Sequence, residues 1–196
     1  MEKKSLWKEW IAPVLVLFLV CGVIAGALAY TNSITNPIIE ANSKKTADEN
    51  RTKLLPTGDS FTEYKGNLLK TDDGKVWVED VYTANNKTGV VMTVVTKSFG
   101  GELTEMIGID KAGAITGVTV TKHKDTAGLG TKPQAPDYLA QYKGVKDLQF
   151  PSVKDESTKN KNEHISYITG ATISSSAIHY GIYEALQQFK AMGGVK

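Results

Sequence analysis

The hydrophobic pattern of the chain begins with a continuous apolar segment. Residues 11–30 carry no charged side chain and consist largely of Val, Leu, Ile, Ala and Gly. Their number matches the roughly 20 residues with which a helix crosses the core of a bilayer. Trp7, Trp10 and Tyr30 bracket the segment, as aromatic residues do at membrane interfaces. The pattern therefore predicts a transmembrane helix over 11–30 after a short N-terminal segment, 1–10.

The lysines around this segment predict its orientation. Lys3, Lys4 and Lys8 precede it, whereas the next lysine along the chain is Lys44. Under the positive-inside rule the N-terminus is cytoplasmic, and everything after Tyr30 lies outside the cytoplasm. We therefore expect a single-pass protein of the cell membrane.

Two alternatives to a permanent span stay open. Ala27-Leu28-Ala29 fits a signal-peptidase site, which would make the segment a removed signal peptide. Cys21 would serve a lipid anchor poorly, because bulky Val20 stands where a small residue is expected. We favour the transmembrane helix, since the apolar run is longer than a usual signal core.

The segment after the span is polar with sparse apolar positions. Residues 31–57 contain Pro37, which suits the first turn of a helix, and Pro56, which ends what precedes it. We expect residues 37–55 to form a helix or stalk within 31–57, followed by an extracytoplasmic domain over 58–196.

Segments rich in β-formers follow in two pairs. Residues 85–89 and 111–113 have the composition of hairpin turns. They separate four predicted strands, at 76–82, 89–96, 103–110 and 114–121. The second of these is the most apolar, so we expect it near the centre of the sheet. The apolar face of such an antiparallel sheet needs a helix to cover it, which predicts an α+β fold.

The covering helix is predicted near the C-terminus. Apolar residues recur there mostly every three to five positions, at Ile173, Ala177, Ile178, Ile182, Ala185, Leu186 and Phe189. Thr172, which follows Thr169-Gly170-Ala171, is expected to be the N-cap. The start of a helix carries unpaired N–H groups and partial positive charge, which suit a phosphate. Simple capping explains this motif as well.

A glycine-containing loop, 122–133, follows the last predicted strand. Its distinctive residues are Thr126, Gly128, Leu129 and Gly130. A third glycine that opens a helix is missing, so the loop is not a dinucleotide-binding fingerprint. We expect its leucine to be exposed, a short helix near 137–142, and a surface segment over 143–164 with Phe150-Pro151 as its main apolar anchor.

Composition and charge exclude several classes of function. The formal net charge is only +2, without a block of like charge, so nucleic acid is not an expected partner. One cysteine and three scattered histidines give no zinc or iron–sulfur spacing, and no metal site is predicted. The sequence shows no convincing acid–base pair or activated nucleophile, so we assign no catalytic residue.

The order of the motifs resembles one family. Gly108-Ile109-Asp110, Thr126-x-Gly128-Leu129-Gly130 and Thr169-Gly170-Ala171-Thr172 follow a single membrane span. Together they resemble the covalent-FMN domain of the G subunit of Rnf-type ion-translocating electron transport complexes. The resemblance extends from the span to the last helix. The chain departs from the family pattern at Thr169, where serine is usual, and at Ala127, where proline is usual.

The resemblance implies a cofactor and a role. A flavin transferase would join FMN by a phosphoester to Thr172, and the domain would relay electrons between other subunits of a membrane complex coupling ferredoxin/NAD electron transfer to ion translocation. The residues implied in holding FMN are Thr172, Thr169, Gly170, Ala171, Ser174, Ser175, Thr126, Gly128, Leu129 and Gly130. The backbone donors of Gly170, Ala171 and Ser174 would meet the phosphate, and Leu129 would lie against the isoalloxazine ring.

Two other functions compete with this one. The chain could be a cofactor-free extracytoplasmic binding or assembly module, but that function would not account for the Thr-Gly-Ala-Thr motif. It could also be an anchored hydrolase using a hydroxyl of residues 174–176, but no His/Asp partner motif accompanies them. We therefore expect a flavin-carrying subunit of an oxidoreductase, without independent turnover.

Overall fold

A computed structural model of the protein describes residues 10–148 and 165–195. The chain divides into two compact units, Met1–Ala47 and Asp48–Lys196. Most of α1 (Ala12–Leu54), a helix of 43 residues, belongs to the first unit. Mean hydropathy reaches 2.6 over its most apolar 18 residues. Among the described residues, α1 is the one helix long and apolar enough to cross a membrane.

The course of α1 differs from expectation at Pro37. This proline lies inside the helix instead of in the first turn of a separate one. Its nitrogen has no hydrogen to donate to the carbonyl four residues earlier, so one helical hydrogen bond is missing there. Just before it, the hydroxyls of Thr31 and Ser33 donate to the Ala27 and Tyr30 carbonyls at 2.9 and 2.8 Å. These bonds stay within the same helix.

The second unit is built on a five-stranded antiparallel sheet with the strands in sequential order. The strands are β1 (Phe61–Glu63), β2 (Val76–Ala84), β3 (Gly89–Ser98), β4 (Gly101–Asp110) and β5 (Ile115–Lys122). The predicted α+β class is confirmed, and the most apolar strand, β3, is central. The sequence pattern missed β1, because three residues are too few to show a period.

One face of the sheet packs against α3 (Thr172–Ala191). Alternate residues of β3, Val90, Met92 and Val94, share a buried cluster with Ile178 and Ile182 of the helix. The other apolar residues predicted to line α3 are buried as well, except Ile173, which is 44% exposed. Ile173 differs because it lies in the first turn of the helix, on its exposed side.

The opposite face of the sheet packs against the last turn of α1. Its buried cluster consists of Leu54, Leu55, Ala84, Val91 and Met106. The Thr116 hydroxyl donates to the Leu54 carbonyl, and a methyl group at Gly108 would lie 2.6 Å from that same oxygen. Glycine is therefore required at 108 by the close approach of the two chain segments. Because both faces of β3 are covered, its apolar run is continuous and does not alternate.

The connection between β5 and α3 contains α2 (Pro136–Leu139) and 3₁₀ turns at Lys132–Gln134 and Ala140–Tyr142. The expectation that 143–148 lie on the surface is wrong for Leu148, which is buried. This segment pairs with the start of β5, where Ile115 N donates to Val145 O at 2.9 Å. Such a long-range contact leaves no local pattern. The expected anchor at Phe150-Pro151 lies outside the described residues.

Candidate functional site

The Thr169-Gly170-Ala171-Thr172 motif forms a tight turn into α3. Ala171 N donates to the Ile168 carbonyl at 2.9 Å and closes the turn. Gly170 has a φ of +81°. A residue with a Cβ would pay about 1–2 kcal/mol for this left-handed backbone, so the turn requires glycine.

The N-cap of α3 is Ala171, so the expectation that Thr172 caps the helix is wrong. The Ala171 carbonyl accepts the first helical hydrogen bond, from Ser175 N at 2.9 Å. The reason is that the turn at Gly170 closes one residue early, which leaves Thr172 already within the helix. No side chain of the described residues caps the helix. The partly exposed Thr172 hydroxyl makes no hydrogen bond to any described residue.

The start of α3 keeps unsatisfied donors. The backbone N–H groups of Thr172, Ile173 and Ser174 have no partner among the described residues. They belong to the first turn of a helix of 20 residues, where the aligned peptide dipoles place partial positive charge. The Ala171 amide, expected to be a phosphate donor, is already used by the turn. A bound anion would satisfy the remaining donors and meet favourable charge.

The loop containing Thr126 and Gly130 lies beside this turn. Gly130 N donates to Thr126 O at 3.0 Å, so the loop folds back on itself. A methyl group at Gly130 would lie 3.0 Å from Ser174 Oγ, and one at Gly170 would lie 3.5 Å from Leu129 Cδ1. Two segments that are distant in the sequence therefore meet at one surface.

The predicted site residues fall into two groups by exposure. The accessible group comprises Thr126, Gly128, Leu129, Thr169 and Gly170, with Thr172 partly exposed. Ala171, Gly130, Ser174 and Ser175 are buried. Ser175 Oγ accepts a hydrogen bond from Ile168 N at 3.2 Å, so this side chain braces the turn from inside. The exposed group is the one that a ligand can contact without rearrangement.

Asp125 fastens the loop to the sheet, a role that the sequence pattern did not reveal. It is only 7% exposed. Its carboxylate accepts from Ser98 Oγ at 2.7 Å, from Gly100 N at 2.8 Å and from Gln134 Nε2 at 3.4 Å. A methyl group at Gly130 would lie 2.8 Å from Asp125 Cβ. Its partners at 98 and 100 are remote in sequence, so no local signal marks Asp125.

A buried aromatic group supports the segment that leads into the turn. The rings of Tyr167 and Tyr142 meet the His179 ring edge to face, with centroids 5.8 and 5.9 Å apart. Burial raises the pKa of Tyr167 to about 12, so its phenol is neutral at physiological pH. This packing holds the chain before Thr169 against α3.

Residues 98–187 match the model of the FMN-binding domain family. That range contains both the 126–130 loop and the turn into α3. The G subunit of the Na(+)-translocating ferredoxin:NAD(+) oxidoreductase complex of Acetobacterium woodii is 29% identical, over 94% of this chain and 93% of its own length. This chain is therefore similar to such a G subunit over nearly its whole length. The crystal structure of Shewanella oneidensis NqrC matches 57% of each chain, with a TM-score of 0.43 and 19% identity.

A second relative of this kind is named for a different ion. The G subunit of the proton-translocating ferredoxin:NAD(+) oxidoreductase complex of Clostridium ljungdahlii is 28% identical, over 90% of this chain and 88% of its own length. The two relatives are named for different ions, yet this chain is almost equally similar to both.

Proposed function

We propose that this protein is the membrane-anchored flavoprotein subunit of an ion-translocating oxidoreductase complex, with FMN joined to Thr172 by a phosphoester. It would relay electrons between other subunits of that complex. In this proposal α1 anchors the chain with the N-terminus in the cytoplasm, and the FMN domain lies outside. A flavin transferase is the partner required for maturation.

The observation that supports the proposal most is that the first turn of α3 has unpaired hydrogen-bonding groups. The Thr172 hydroxyl makes no hydrogen bond to any described residue, and the three N–H groups of the same turn also have no partner among those residues. A phosphate esterified to Thr172 would place its charge where these donors and the helix dipole stabilise it. The residues present therefore fit the phosphate end of FMN.

The remaining residues would position the rest of the cofactor. Gly170 has no side chain to block the approach of the ribityl chain, and its φ of +81° keeps the turn tight. Leu129, 45% exposed and next to Gly170, offers an apolar surface for the ring. FMN supplies the redox chemistry when bound, whereas the protein supplies position and electrostatic environment.

The deciding experiment compares Thr172→Val with Thr169→Val. Each change removes one hydroxyl and keeps a β-branched side chain at a residue of the same motif. Chains co-expressed with a flavin transferase are separated by denaturing electrophoresis and examined for flavin fluorescence. We expect a fluorescent band for the wild type and Thr169→Val and none for Thr172→Val, with equal thermal melting of all three.

Other outcomes would redirect the proposal. A fluorescent Thr172→Val band would move the attachment to another hydroxyl, with loss in Thr169→Val pointing to Thr169. A colourless, non-fluorescent wild-type band from native membranes would favour the cofactor-free binding module instead.

A further inference from the structure

The second unit exposes few large apolar side chains. Within its described residues, large hydrophobic side chains are exposed at three positions, Phe99 at 75%, Leu129 at 45% and Ile173 at 44%. Leu129 lies beside Gly170, and Ile173 follows Thr172 directly. Two of the three exposed apolar residues therefore flank the proposed attachment residue, and the third needs a separate explanation.

Phe99 is held close to the same surface through Asp125. It occupies the turn between β3 and β4, where both of its neighbours, Ser98 and Gly100, donate to the Asp125 carboxylate. A methyl group at Gly100 would collide with the Lys124 carbonyl and lie 2.7 Å from Asp125 Cα. The turn that presents Phe99 therefore rests directly on the backbone at the start of the 126–130 loop.

We propose that Phe99 is a second apolar contact for the isoalloxazine ring, together with Leu129, and that Asp125 is the positioning residue that holds it there. This inference rests on the proposed function, because it requires FMN at Thr172. The contact explains why a phenyl ring remains exposed on a turn that two donors, the Ser98 hydroxyl and the Gly100 amide, fasten to a buried carboxylate.

The small number of exposed apolar side chains favours a flavin ring over another protein as the group that contacts them. A stable protein–protein interface buries about 800 Å² on each partner and involves about 20–30 residues a side. Three apolar side chains fall far below that size, but they suit one flat ring that a flexible ribityl chain tethers to Thr172. The position of Leu129 and Ile173 on either side of Thr172, the proposed attachment residue, also favours the flavin ring as the ligand.

The test places a tryptophan at the proposed contact. An indole in contact with an excited flavin quenches its emission by donating an electron, so Phe99→Trp reports ring contact directly. The control is Lys111→Trp, in the turn at the other end of β4 and about 30 Å from Phe99 by strand length. On full-length flavinylated chains, we expect Phe99→Trp to quench the flavin and Lys111→Trp to leave its emission unchanged.

A second pair of variants tests Asp125. In the Phe99→Trp background, Asp125→Ala should restore emission because the turn is released, whereas Glu102→Ala, at an exposed carboxylate on β4, should not. Separately, Phe99→Ala should lower the ratio of docked to undocked ring by about two- to tenfold, the range expected for losing one aromatic contact. Time-resolved anisotropy of the flavin measures that ratio.

The outcomes separate this inference from the proposed function. Equal emission from Phe99→Trp and Lys111→Trp on chains that carry flavin at Thr172 would overturn the Phe99 contact and leave the proposed function intact. The same result, combined with loss of assembly in Phe99→Ala, would assign Phe99 to the contact with another subunit. A wild-type chain without covalent flavin would overturn both proposals.

Discussion

Glu105 provides a sharp test of the physical account of the core, because it is a fully buried acid beneath α3. It lies on β4 and is 0% exposed. Neither carboxylate oxygen has a hydrogen-bond partner among the described residues. A methyl group at Gly181 of α3 would collide with Glu105 Oε1 and lie 2.8 Å from Thr96 Cγ2. The carboxyl group therefore fills the space between the sheet and the helix without being satisfied there.

Burial raises the pKa of Glu105 well above its usual value. Two other polar groups of the core do not stabilise a negative charge on Glu105. Thr96 Oγ1 also has no hydrogen-bond partner among the described residues. The pKa of Tyr142 is raised as well, chiefly by burial. The folded protein therefore holds the Glu105 proton at pH values where the unfolded chain has lost it. In that window, stability falls as pH rises, by about 1.4 kcal/mol for each pH unit.

Two substitutions separate the charge of Glu105 from its polarity. Glu105→Met keeps an unbranched side chain of similar length but removes an unsatisfied buried group, which costs about 1–3 kcal/mol. This variant should be more stable than the wild type by that amount even at pH 5, and by more at higher pH. Glu105→Gln should exceed the wild type by about 1 kcal/mol at pH 5, because the unfolded glutamate is already largely ionised there, and by more at pH 8.

The assay is thermal unfolding of the full chain in detergent, followed by circular dichroism at several pH values from 5 to 8. Each kcal/mol should move the melting temperature by about 2–4 °C for a protein of this size. Glu102→Gln, at an exposed position of the same strand, is the control and should leave the pH profile unchanged. A wild-type advantage over Glu105→Met that widens as pH rises would refute the reasoning.

The remaining predictions concern two structural contacts. Gln188 is 1% exposed, accepts from Leu69 N at 2.7 Å and donates to Asn67 O at 3.0 Å. Gln188→Leu should lower the free energy of unfolding by about 1–3 kcal/mol in chemical denaturation, because it leaves both backbone groups unpaired, whereas Gln187→Leu should have little effect. Gly170→Ala should cost about 1–2 kcal/mol through its φ of +81°, and a melting temperature equal to that of the wild type would contradict this.

The parts of the fold that the sequence predicts are those with local signals. An uninterrupted apolar run marks the first part of α1, turn residues mark the hairpins joining β2 to β3 and β4 to β5, and helical spacing marks α3. Other expectations failed, and one of them did so because of a contact between distant segments. Pro37 does not begin a separate helix, and Leu148 is buried because its segment pairs with β5.

The candidate site divides in the same way. The chemical groups can be predicted from the sequence, namely a hydroxyl and two small residues at the start of a helix and a glycine loop after a strand, because these motifs are contiguous. Contacts in the folded chain show in addition that Gly130 lies against Ser174 and that Asp125 ties the loop to the β3–β4 turn. The physical reason is that hydrogen bonding and burial are satisfied between segments remote in sequence, where no local pattern records them.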